Sequence, residues 1–334
     1  MDLFRRFFSQ PGSKPPDKPA ASESEPEIET TPLEPPMPPA SKEVDTAPVA
    51  ADTNTPAPQT VADGATRPLP PETVISSSNE HLRFGQSTDV GMVRNSNQDS
   101  VFSLFTTSRS SDQRPDFGLF IVADGMGGHH DGEKASAMAA HVVASNVAAS
   151  VCLPMLRGEN DADRMPITEA LISAVQKANA DIIAKVPEGG TTLTAVAIVN
   201  DLAYIVHVGD SRIYLITKDG LEKITRDHSL VQRLIELDQI TPEEAVNHIQ
   251  RNVLYRALGQ SENVEVDALT RRLPPKSKLL LCSDGLWNMV TEDEIAEIVM
   301  RYDSPQEACD KLVALANTHG GTDNITAIVL QIPG

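Results

Sequence analysis

Two regimes of hydrophobic and polar patterning meet near residue 81. Beyond it, apolar runs of strand length at 118–123, 193–199, 203–208, 212–217, 279–282 and 325–332 are mostly rich in Val, Ile, Leu and Tyr and predict β-strands. Longer stretches at 134–151, 167–185, 230–237, 292–301 and 306–318 repeat apolar positions at helical spacing and predict α-helices. Polar links at Asn200-Asp201 and Lys218-Asp219-Gly220 join neighbouring strands, which predicts hairpins and hence antiparallel sheet. Long helices must then cover the apolar sheet faces, so an α+β layered domain is expected over 81–334. No internal repeat is visible.

Before residue 81 the pattern is absent. Residues 1–80 hold 16 of the 25 prolines, with abundant Ser, Thr, Ala, Asp and Glu and few large apolar side chains. Such a segment cannot bury enough surface to fold, and a disordered, semi-stiff acidic tether is expected. Within residues 1–8, Leu3, Phe4, Phe7 and Phe8 surround Arg5 and Arg6 at near-helical spacing. That spacing suits a docking peptide; a frayed terminus is the plainer expectation.

Composition narrows the function. A formal net charge of −19 over 334 residues lacks the basic footprint of a nucleic-acid binder and disfavours an anionic membrane surface. Cys152, Cys282 and Cys309 are far apart and form neither a disulfide framework nor a zinc knuckle. No stretch reads as a membrane span of about 20 apolar residues, so a soluble, cytoplasmic chain with no integral membrane segment is expected.

The chemistry lies at strand ends. The apolar runs ending at Asp124-Gly125 and Asp284-Gly285, the run before Gly209-Asp210-Ser211-Arg212, and Asp323-Asn324 just before the last run place four carboxylates at the edges of buried strands. A carboxylate at the edge of an apolar core is costly unless cations or donors stand nearby. All-oxygen donors without His or Cys favour hard ions such as Mg2+ or Mn2+. Asp-Gly is also ordinary turn chemistry, and at Asp219-Gly220 that is the whole explanation. No Asp-x-Asp-x-Asp-Gly calcium loop is present, Gly125-Met126-Gly127-Gly128-His129 lacks the Gly-Lys-Ser/Thr ending of a phosphate-cradling loop, and the pair His129-His130 without a second nitrogen or sulfur cluster is a poor zinc site.

In order along the chain stand Thr88-Asp89-Val90-Gly91-Met92-Val93-Arg94-Asn95-Ser96-Asn97-Gln98-Asp99, Val122-Ala123-Asp124-Gly125-Met126-Gly127-Gly128-His129, Gly190-Thr191-Thr192, Val208-Gly209-Asp210-Ser211-Arg212, Ser283-Asp284-Gly285 and Gly321-Thr322-Asp323-Asn324. Taken together, these motifs resemble those of the type 2C metal-dependent serine/threonine protein phosphatases, bacterial branch, over nearly all of 84–332. The resemblance implies two antiparallel sheets packed as a sandwich and flanked by helices on both outer faces, with a metal cleft at one edge.

By that resemblance, Asp124 would bridge two ions, the Gly125 carbonyl would complete one site, and Asp284 and Asp323 would hold the other. Asp99 would bind one ion through water, and Asp210 would face a third, weaker one. Gln98 and Asn324 would stand just behind the ligands; Gln98 occupies a position where many members carry Glu, and weaker binding is expected there. A hydroxide bridging two Mn2+ or Mg2+ ions would attack phosphorus without a phosphoenzyme intermediate. Arg94 would grip the phosphate, His129 would act as general acid, and 227–259 would form a flap beside the cleft. Phosphorylated proteins, and through them a serine/threonine kinase, are the implied partners of a monomer. A non-catalytic sensor on the same fold, a small-molecule phosphohydrolase, and an added scaffolding role for the tether are the alternatives.

Overall fold

A computed structural model describes residues 81–107, 115–127, 130–159 and 164–334. The tether expected over 1–80, its first eight residues included, lies outside these. Within the described residues the apolar runs become two antiparallel sheets. One has the order β1 (Arg83–Asp89), β11 (Ile325–Gln331), β10 (Lys278–Cys282), β7 (Arg212–Thr217), β8 (Gly220–Lys223). The other runs β2 (Asp99–Thr106), β3 (Phe117–Met126), β5 (Leu193–Val199), β6 (Leu202–Val208), β9 (Asp267–Arg272), with the short β4 (Gly190–Thr191) paired to the end of β3. The links at Asn200-Asp201 and Lys218-Asp219 do close hairpins, β5 with β6 and β7 with β8.

Burial on both faces explains the near-continuous apolar runs. Along β3, Leu119, Ile121 and Ala123 face α1 (Asp131–Val147) and α3 (Ile167–Lys185), while Phe120 and Val122 point the other way into the space between the sheets. That inter-sheet layer continues through Val196, Ile205, Ile213, Leu215, Leu279, Leu281, Ile328 and Leu330. Successive residues of a strand point to opposite faces, so a sandwiched strand must be apolar at every position. Truncating fully buried Phe120 to Ala would cost about 3–5 kcal/mol.

The outer face of the first sheet is covered by α6 (Asp284–Trp287), α7 (Glu292–Arg301) and α8 (Pro305–Thr318), through Leu286, Ile295, Val299, Ala308 and Leu312. Thr291 and Glu294 form a reciprocal capping box that starts α7. The resulting order of layers is helix, sheet, sheet, helix.

Two details differ from the sequence expectation. The helix read at 134–151 is α1, which passes through a π-helical turn at Ala148–Cys152 into α2 (Leu153–Arg157). Pro154 has no N–H to give to the carbonyl four residues back and crowds it, which accounts for the change of register. The whole run Asp131–Arg157 is long and apolar enough to cross a membrane by length and composition. Its Ala135, Ala139, Val143 and Val147 are instead fully buried in the core against the second sheet and α3.

Candidate metal centre

Antiparallel pairing brings the first carboxylates together. Asp99 opens β2 directly opposite Asp124 near the end of β3, so two like charges face each other across one pair of strands. Asp284 starts α6 where β10 ends, and Asp323 precedes β11, which pairs with β10. Asp210 follows β6 and is buried. Both sheets thus deliver aspartates to the same end of the sandwich.

The backbone around these groups is fixed by short contacts. Thr192 Oγ1 accepts the Asp124 N–H at 2.9 Å, and Thr192 N and Thr191 Oγ1 donate to the Asp124 carbonyl at 2.8 and 2.9 Å. A Cβ on Gly125 would lie 2.2 Å from the Gly132 carbonyl oxygen, and one on Gly285 would lie 2.1 Å from that of Asn324. Glycine at each place lets two backbones touch. Asn324 staples the loop before β2: its Oδ1 accepts from Gln98 N at 2.7 Å and its Nδ2 donates to the carbonyls of Val90 and Ser96 at 2.9 Å each. The Gln98 carbonyl accepts from Gly125 N and from Ser136 Oγ, and its side-chain amide packs on Gly132 at the start of α1.

Concentrated negative charge has visible consequences. Burial, with Asp99, Asp284, Asp210 and Asp323 close by, holds the Asp124 carboxyl well above the usual carboxylate range. Burial likewise pushes Asp99 up to about 7, although a 2.7 Å bond from Ser283 Oγ opposes the rise. Asp284 is pushed up to about 6 by burial and by Asp323. Asp210 is raised well above its ordinary value by burial, then by Asp284 and Asp227, with Arg212 working against the rise. Arg94, half exposed at the rim, gives Asp323 a hydrogen bond of 2.6 Å.

Among the described residues, no three His, Cys, Asp or Glu side chains close around a single point. Asp99 is turned toward Ser283, and Asp323 toward Arg94. The donor set nonetheless fits hard divalent cations. The side chains converging here are carboxylates in marked excess over arginine, and Asp99 Oδ1 is buried with no hydrogen-bond partner. A buried, unsatisfied carboxylate oxygen among like charges is what a divalent ion stabilises.

Asp99, Asp124, Asp210, Asp284, Asp323 and Arg94 therefore share one end of the sandwich, and His129 lies outside the described residues. Three side chains to which the sequence pattern assigns no role of their own belong to the setting. Ser283, fully buried, binds Asp99. Thr192 fixes Asp124. Trp287 Nε1 donates to the Asp210 carbonyl at 3.1 Å, with the Arg212 guanidinium 3.5 Å above its ring and held by Asp227. A buried Ser directly before Asp-Gly was the available signal for the first; the others required the fold.

Comparison with known proteins converges on one family. Residues 93–317 match the family described as Protein phosphatase 2C. The serine/threonine phosphatase stp of Listeria innocua is 37% identical over 259 residues, covering 75% of this chain and 95% of that protein. The Streptococcus agalactiae serine/threonine phosphatase structure superposes with a TM-score of 0.65 at 32% identity, covering 75% of this chain and all of that one. The catalytic domain of the serine/threonine protein phosphatase PstP, solved with two manganese ions, superposes with a TM-score of 0.61 at 32% identity, covering 76% of this chain and 99% of that one.

Proposed function

Because this chain belongs to the bacterial branch of the protein phosphatase 2C family, we propose that it hydrolyses phosphoserine and phosphothreonine in proteins, opposing serine/threonine kinases, at the acidic cleft. The observation that carries the reading is the meeting of five aspartates from both sheets at one end of the sandwich, with an unpartnered buried Asp99 oxygen among them. The catalytic domain in this reading is 81–334, and 1–80 is its tether.

Asp124 would serve two Mn2+ or Mg2+ ions, with the Gly125 carbonyl and Asp99 on one side and Asp284 and Asp323 on the other; Asp210 would serve a third, weaker ion. When bound, these cations supply neutralisation of the phosphate dianion and acidification of a water toward neutral pH. The protein's own part is positional and electrostatic. The strand ends hold the carboxylates in fixed directions, so little reorganisation is needed when a substrate arrives. Arg94 is exposed enough to exchange Asp323 for the non-bridging phosphate oxygens, which its planar fork can grip at two points. His129, carried over by similarity, would give the leaving seryl or threonyl oxygen its proton as the ester P–O bond breaks.

The test uses purified protein and a phosphothreonine peptide with Mn2+, with Mg2+ and with EDTA, beside Asp284→Asn. Phosphate release that needs a divalent ion and is lost in the variant is the expected outcome. Release that persists in EDTA would sink the metal-dependent reading, and folded protein inactive with every divalent ion would sink catalysis altogether and favour a non-catalytic sensor.

A further inference from the structure

A buried histidine stands where the 227–259 segment leaves the core. His228 is 1% exposed, and both faces of its peptide are used: its N–H donates to the Gly209 carbonyl at 2.7 Å, and its carbonyl accepts from Tyr255 N at 3.0 Å. The ring makes three further contacts. Nδ1 accepts the Gly209 N–H at 3.0 Å, and Nε2 lies 3.1 Å from Asp267 Oδ2 and 3.1 Å from Arg256 Nη1. A backbone N–H can only donate, so Nδ1 carries no proton; the neutral ring then keeps its proton on Nε2, which donates to Asp267, while Arg256 Nη1 beside it gives its own proton to Asp267 Oδ1. Asp267 is in turn held by Arg256 Nη1 at 2.6 Å, at the far end of the same segment.

The neighbouring ring repeats the logic. His207 Nε2 meets the Arg226 carbonyl at 3.1 Å, which fixes its proton there, and its Nδ1 accepts from Thr194 Oγ1 at 2.9 Å. The two rings lie 4.9 Å apart and both are neutral, burial having pushed His207 down to about 4.

Gly209 is therefore gripped from two sides. Its φ of +112° suits glycine, and a Cβ there would meet the Thr192 Cβ at 2.6 Å. Thr192 is the residue that fixes Asp124 N, and its hydroxyl also pairs with Ser211 Oγ at 2.8 Å. One polar chain thus runs from the strand end bearing Asp124, past the turn bearing Asp210, to the root of the 227–259 segment.

We propose that His228 is a positioning residue that clamps this root to the Gly209-Asp210 turn, so that the placement of residues 229–256 and the orientation of Asp210 change together. Its catalytic consequence rests on the phosphatase reading above; the clamp itself does not. Substitution by Asn puts Oδ1 where Nδ1 stands and keeps the acceptor for Gly209, whereas Leu keeps the bulk and loses it.

The full chain and its His228→Asn and His228→Leu variants would be compared by amide hydrogen exchange in EDTA, and by the Mn2+ concentration for half-maximal activity alongside kcat. In the Leu variant, exchange at 209–211 and at 229–256 should rise together by about 10-fold, the effect of losing one buried hydrogen bond. The half-activating Mn2+ concentration should rise by a similar factor with a smaller change in kcat, and the Asn variant should stay near wild type in both. Should the Leu variant not fold, His228→Gln, which reaches Asp267 but not Gly209, takes its place with the same expectation. Exchange rising in only one of the two segments, or Asn behaving as badly as the substitution lacking the acceptor, would overturn the clamp. Coupled exchange in a protein without metal-dependent phosphate release would overturn the phosphatase reading and leave the clamp standing.

Discussion

Asp124-Gly125 and Asp284-Gly285 share a dipeptide with Asp219-Gly220, yet the two strand ends and the β7–β8 hairpin use it for opposite purposes. At the hairpin, Gly220 takes a φ of +141° and nothing lies within 4 Å of where its Cβ would be. The glycine is there for its backbone freedom, and Asp219 is a solvated turn residue. At the strand ends neither glycine has a positive φ, and each would drive a Cβ to 2.1–2.2 Å from another backbone carbonyl. There the glycine is wanted for its missing side chain, and the aspartate before it is packed among like charges. One dipeptide answers a local conformational demand in one region and a tertiary steric demand in the other.

Activity should separate the regions most sharply. Asp124→Asn is expected to lower phosphate release by at least about 10³-fold, the scale of losing cation-assisted stabilisation, while Asp219→Asn leaves it unchanged. A steady-state assay on a phosphopeptide checks both; equal losses would mean the strand-end position has no special role.

Stability comes next. Gly285→Ala and Gly125→Ala should each cost about 3 kcal/mol or more, because the obstructing atoms are backbone and cannot turn aside. Gly220→Ala should cost about 1 kcal/mol, from the left-handed φ alone. Urea unfolding in EDTA compares them without involving catalysis.

The smallest effect is on pH dependence, and its sign follows from the direction of the shifts. Asp99 at about 7 and Asp284 at about 6 lie above their ordinary value of 3.8, so the folded state binds more protons than the unfolded one between those limits. Without a divalent cation, the stability these two carboxyls contribute is fully present below about pH 4 and is lost as pH rises through about 6 and 7, where they ionise against one another. Asp124→Asn removes one of the opposing charges and should flatten that decline, making the variant more stable than the parent in EDTA at pH 8 while it is inactive. Asp219→Asn should leave the profile as it is. Thermal unfolding at a series of pH values in EDTA reads out all three proteins.

Much of the architecture was legible from pattern alone. Strands buried on both faces, such as β3 with Leu119 to Ala123, announce themselves as unbroken apolar runs, and helices α3 and α7 begin and end where their periodicity does. The edge and partly covered strands were not read as strands. β2 is only half-buried along its whole length, and β9, reading Asp-Ala-Leu-Thr-Arg-Arg, alternates between half-buried and exposed positions. Neither carries a strong apolar signal, because one face of each contributes little to a core.

The sequence by itself determined which residues are acidic at strand ends, in what order they occur, and hence the family and the class of ion they suit. Only the tertiary structure decided that Asp99 stands opposite Asp124, that Asn324 staples the Arg94 loop instead of merely sitting beside a ligand, and that His228 reaches back to Gly209. Local pattern records what each residue does to its own strand or helix; pairing register and contacts across 19 to more than 200 positions exist only once the sheets have closed on each other.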